Sequence, residues 1–231
     1  MSAIEEYRAI LKDIRDWNDY LIKESRLPGA RSNLELLYAC SDLASREMLE
    51  QWLEFTPQKA PENTPQCFLA CCGVVGLGRL PSEGDYSRLA VLRYFASDPR
   101  WRVRESVCMA LQRFGQVDMP TLLNEMNIWA NGTPYEQRVA IATLCEPVLL
   151  KNKVDAASVL ILLNQETEDS LTITDRKQED FRVLRKGLAY CWSVAVAALP
   201  EQGKPFIGHW LNSKDPDIRW IMEQNLQKTP D

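Results

Sequence analysis

Ile4, Tyr7, Leu11, Ile14 and Leu21 recur at helical spacing near the start of the chain, so residues 3–26 are expected to form a first helix with one apolar stripe. Ser2, three residues ahead of Glu5, offers a capping box for its beginning. Further along, Val103, Val107, Ala110, Leu111 and Phe114 share one helical face, and the run stops at Gly115, a residue suited to a left-handed helix end.

Helix starts can be read where Ser, Thr, Asp or Asn is followed by proline, because the side chain accepts from an orphan backbone N–H and proline sacrifices none. Thr64-Pro65, Asp98-Pro99, Thr133-Pro134 and Asp215-Pro216 are such pairs. With the caps Asn33 and Asp175, which lack the proline, starts fall at 33, 64, 98, 133, 175 and 215, spaced by 31, 34, 35, 42 and 40 residues. A period of this length marks an array of helix pairs, each unable to bury its apolar face alone. The other halves of the pairs fall near 3–26, 45–56, 85–96, 118–130, 155–164 and 200–212, giving an all-α α-solenoid of about six pairs as one domain over 1–231. The polar, acidic stretch 164–177 is expected to be an extended loop inside the fifth pair.

The run Asp98-Pro99-Arg100-Trp101-Arg102-Val103-Arg104, continuing through Ala110-Leu111 to Gly115, resembles the second helix of a HEAT repeat. Asp215-Pro216-Asp217-Ile218-Arg219-Trp220 repeats its start, and Thr133-Pro134 with Arg138-Val139-Ala140 repeats it more loosely, without the Asp. Asn33 and Asp175 depart further, and their units rest on spacing. The resemblance implies a scaffold or adaptor whose second helices line a concave face. The same structural class includes bacterial alkylpurine DNA glycosylases that use Trp, Arg and a catalytic Asp, but no position here matches their active-site pattern closely enough to carry a catalytic residue across.

Composition narrows the reading. At 45% hydrophobic and 26% charged residues, the chain is neither disordered nor a disulfide scaffold. A net charge of −5 argues against wholesale phosphate binding, although residues 64–114 set seven arginines against four acids. Seven cysteines, an odd number in mostly apolar surroundings, are expected to be reduced core residues. Cys67, Cys71 and Cys72 lie on one helix with poor geometry for zinc, and His209 is the sole histidine, so no metal and no cofactor is expected. Gly73, Gly76 and Gly78 lie late in a helical segment and not after a strand, which excludes a nucleotide loop and points to close helix packing. No apolar span reaches membrane length and no signal peptide opens the chain, so a cytoplasmic protein without a membrane partner is expected.

Binding residues are sought on the second helices: Trp101, Arg102, Arg104, Arg138, Arg182, Arg185, Lys186, Trp192, Arg219 and Trp220. Guanidinium and indole groups together suit anions or stacked bases. Arg31, beside Gly29 and a helix start, could hold an anion with backbone donors. The alternative is that these arginines pair with turn acids such as Asp98 and Asp215, and that the tryptophans pack between repeats. Arg102 and Arg104 stand about 200° apart around a helix and cannot form one clamp. The expectation is a non-catalytic module binding another protein, with DNA binding or alkylated-DNA repair as the alternative.

Overall fold

The computed structural model describes residues 2–227, which are helical with no strand among them. The helices are α1 (Ala3–Asp13), α2 (Trp17–Glu24), α3 (Leu34–Leu43), α4 (Arg46–Leu53), α5 (Pro65–Leu77), α6 (Arg79–Ser82) and α7 (Ser87–Phe95). They continue with α8 (Trp101–Gly115), α9 (Met119–Trp129), α10 (Pro134–Leu144), α11 (Lys153–Asp169), α12 (Glu179–Ala198), α13 (Pro200–Leu211) and α14 (Pro216–Leu226). Two compact units divide the chain, Met1–Phe114 and Gly115–Asp231.

In the first unit α3 packs between α1 and α5, and both α2 and α4 lie against α5. Every residue of α5 from Cys67 to Leu77 is buried, as expected of a helix apolar all round. The glycines make this crowding possible. A Cβ on Gly76 would overlap Leu49 of α4, and one on Gly78 would overlap the Ala110 backbone of α8. At the end of α3, Arg79 donates to the carbonyls of Ser41 (3.2 Å), Asp42 (2.7 Å) and Ala44 (3.1 Å), satisfying orphan acceptors of the helix C-terminus. The Asp42 carboxylate collects Arg8 from α1 and Arg113 from α8.

In the second unit α12 packs between α10 and α14, while α9, α11 and α13 lie against α10, α12 and α14 respectively. Thr133 and Glu136 close a capping box at α10, and the Asp215 carboxylate accepts from the N–H groups of Asp217 and Ile218 at α14.

Asn33, Thr133 and Asp215 cap helices where local chemistry placed them, and Thr64 stands at the start of α5 with its hydroxyl donating to Pro61 O (2.8 Å) and not accepting from the helix. Five expectations need correction. Asp98 does not stand at the start of α8, which begins at Trp101, because its carboxylate is taken by Arg100 in the preceding turn. Gly115 is the last residue of α8 and is not left-handed. The first helix is two, because Ile14 is extended and Asp16 caps α2 by accepting from Asp19 N–H. Asp175 does not start α12; it accepts from Lys177 N–H (3.2 Å) in the preceding turn, and the helix begins at Glu179. Residues 164–169 are not loop but the last turns of α11, because Asn164 and Thr167 turn their polar side chains to partners inside the fold. Thr167 Oγ1 donates to Leu163 O (2.7 Å) and accepts from Trp192 Nε1 (3.0 Å), and Asn164 Oδ1 accepts from Trp210 Nε1 (3.0 Å).

Candidate functional site

The turn that opens α8 is built on a buried ion pair. Asp98 takes the Arg100 guanidinium side-on through Nε (2.9 Å) and Nη2 (2.8 Å), and also accepts from the Arg100 backbone N–H (2.8 Å). Arg100 Nη1 donates to Phe55 O (2.7 Å) and Ala60 O (3.0 Å), so the guanidinium ties α8 to the chain after α4. Arg104 turns back on the same turn, donating to Asp98 O (2.6 Å) and Pro99 O (3.0 Å). Arg102 pairs with Glu62, donates to Gly29 O (2.5 Å) and covers the Trp101 ring at 4.4 Å. Arg100, Arg102 and Arg104 are all buried, whereas Trp101 keeps 47% of its surface exposed. The Gly29 N–H already donates to Asn63 Oδ1 (3.0 Å), which leaves Arg31, though exposed, without that backbone donor for an anion.

The corresponding charges of the second unit meet between α12 and α14. Arg176 pairs with Asp215 (2.6 Å) and Asp217 (3.0 Å); Arg185 pairs with Asp217 (2.8 Å) and stacks over Trp220 at 3.8 Å. Burial would raise the Asp215 carboxyl, but hydrogen bonds from Arg176 and from backbone N–H groups outweigh it and hold the group below the usual carboxylate range. Arg219 donates weakly to Ser213 O and Lys214 O, both at 3.4 Å. Arg138 is half-buried, with its stem packed close against Gly187 of α12, 3.1 Å from where a Cβ there would sit. Trp192 is in the core. Arg182 and Lys186, one turn apart on α12, are exposed and pair with nothing among the described residues.

A site that sequence reasoning missed lies between α9 and α11, where Asn127, Ala130 and Asn131 face Ser158, Ile161, Leu162, Gln165, Glu166 and Asp169 across a cleft of about 360 Å³. Glu166 is 1% exposed, and neither carboxyl oxygen has a hydrogen-bond partner. Burial, with a smaller push from Asp169, raises its pKa to about 8 and keeps it neutral at pH 7. One signal was available: Glu166 follows Val159 and Leu163 in the register of the buried face.

The seven cysteines are buried and free, and no three His, Cys, Asp or Glu side chains converge on a metal position among the described residues. No helix is long and apolar enough to cross a membrane among those residues.

No protein-family model matches the chain, and neither does any curated protein. Among solved structures it is similar to AlkD2 from Streptococcus mutans, with a TM-score of 0.62 and 15% identity over 96% of this chain and 97% of that one. An engineered protein aligns at TM-score 0.37 and 13% identity, covering 98% of this chain and 96% of its own. A designed armadillo repeat protein aligns at 0.32 and 11%, covering 90% and 98%. The fold is a HEAT-like helical repeat.

Proposed function

We propose that the chain is a non-catalytic module that binds another protein. The observation that carries this reading is the internal use of its cationic groups. Of the basic residues expected to face a ligand, Arg102, Arg104 and Arg185 are spent on carboxylates or turn carbonyls of the chain itself. Besides Arg31, the first unit presents aromatic surface: Tyr94, 78% exposed at the end of α7, and Trp101 at the start of α8. Exposed aromatic rings with low conformational entropy are favoured anchors of protein interfaces. The test is capture of partners by the immobilised chain, followed by the same capture with Tyr94→Ala and Trp101→Ala together. A specific partner lost at least tenfold in the double variant supports the reading; no protein retained above background overturns it.

A second reading, nucleic-acid binding, draws on Arg182 and Lys186, which stay exposed and unpaired among the described residues. It expects a mobility shift of duplex DNA that weakens with salt, with a slope reduced by about 2 when both are replaced by Ala. Arg102→Ala is a poor probe of that idea, since it removes the partner of Glu62. An unshifted duplex at low salt removes this reading.

A further inference from the structure

We propose that the cleft between α9 and α11 is a binding site for a primary alkylammonium group, received by Glu166 and Asp169. Hydrogen-bonding sense selects the ligand. Asn127 and Asn131 point their amide nitrogens at the helix carbonyls of Leu123 (2.7 Å) and Asn127 (2.8 Å), and Gln165 points its own at Asp169 (2.9 Å). Ser158 donates its single hydroxyl hydrogen to Val154 O (3.1 Å). The polar groups around the cleft therefore offer oxygen acceptors: amide oxygens, a hydroxyl and two carboxyls, with no basic residue among the lining side chains. An ammonium group brings three donors and a positive charge to that set, and Ala130, Ile161 and Leu162 supply apolar wall for its methylenes.

Glu166 is the anchor. Its side chain already forms part of the wall, and its oxygens are buried without a partner, so an arriving cation gains an acceptor that nothing else uses. The charge that raises Glu166 further is that of Asp169 on its own helix. Binding near pH 7 ionises Glu166 and releases its proton. A free diamine and the lysine side chain of a partner protein share this ammonium chemistry.

Titration calorimetry on the full chain tests this with 1,4-diaminobutane, n-butylammonium, Nα-acetyl-lysine amide and the uncharged n-butanol. The expected result is binding of the amines and not of n-butanol, a heat that changes with the ionisation enthalpy of the buffer, and at least tenfold weakening in Glu166→Gln. Asp169→Asn, at a half-buried position, should weaken binding several-fold and serves as a second variant should the first alter the fold. Tighter binding of the diamine than of the lysine amide assigns a free amine, and the reverse assigns a partner's lysine; either supports the site. Amines that give no heat at millimolar concentration, or that bind Glu166→Gln as tightly as the native chain, overturn it.

Discussion

The two units handle buried charge in opposite ways. In the first, the Asp98–Arg100 pair is out of water, but each Arg100 nitrogen has an acceptor and the carboxylate is held at both oxygens. Arg102 is matched through its two terminal nitrogens by Glu62 and Gly29 O, while its Nε is left without a partner. In the second unit, Glu166 is as deeply buried and meets no donor. A buried ion pair with every donor satisfied fixes the geometry of a turn, and its removal mostly hurts through the charge left behind. A buried acid with nothing to bond stays neutral and forfeits stability, which makes it a group kept ready for a ligand.

The largest effect expected from disturbing this contrast is in the first unit. Asp98→Ala strands Arg100 in the interior and should lower stability by about 3–5 kcal/mol. Urea denaturation would show it as a lower midpoint; an unchanged midpoint would mean that the pair contributes nothing.

Glu166→Gln should act with the opposite sign. In the folded chain the carboxyl keeps its proton up to about pH 8, but once unfolded it ionises near its ordinary value of 4.5. The folded state thus binds more protons between those limits, and native stability falls as pH rises from 4.5 to about 8. The variant should be more stable than the native chain at pH 8, about equal to it at pH 4, and should lack that part of the pH dependence. Stability curves that run parallel across this range would contradict the assignment.

Gly78→Ala should cost about 1–3 kcal/mol, since the new methyl meets backbone of α8 that cannot swing aside. Thermal melting reads this directly, and a melting temperature within a degree of the native value would show that the two helices can part. The smallest effect belongs to the exposed face of α12. Arg182→Ala with Lys186→Ala should move unfolding free energy by no more than about 0.5 kcal/mol, so any lost binding in that variant reports recognition and not folding. A larger destabilisation by denaturant would reveal partners that the native structure does not display.

The repeat was legible because its signals are local. A cap and a proline are adjacent residues, so Thr133-Pro134 and Asp215-Pro216 announce α10 and α14 without knowledge of anything distant. The fate of the arginines was not legible in the same way. Arg102 finds Glu62 and Gly29 at separations of 40 and 73 residues, and no spacing rule on α8 names them. The end of α11 misled for another reason. Asn164, Glu166 and Thr167 read as loop by polarity, yet two of them are used to receive indole N–H groups from Trp210 and Trp192 and the third is buried. Hydrophobic patterning weighs polarity and cannot see a hydrogen-bonded interior.

Asp42 joins charges that are made at different times during synthesis. Arg8 leaves the ribosome before Asp42, but Arg113 leaves long after it, and both guanidiniums end on this one carboxylate. A nascent chain halted before residue 113 holds the acid with one of its two counterions. The charge of that acid is fully matched only once α8 has joined α1 and α3.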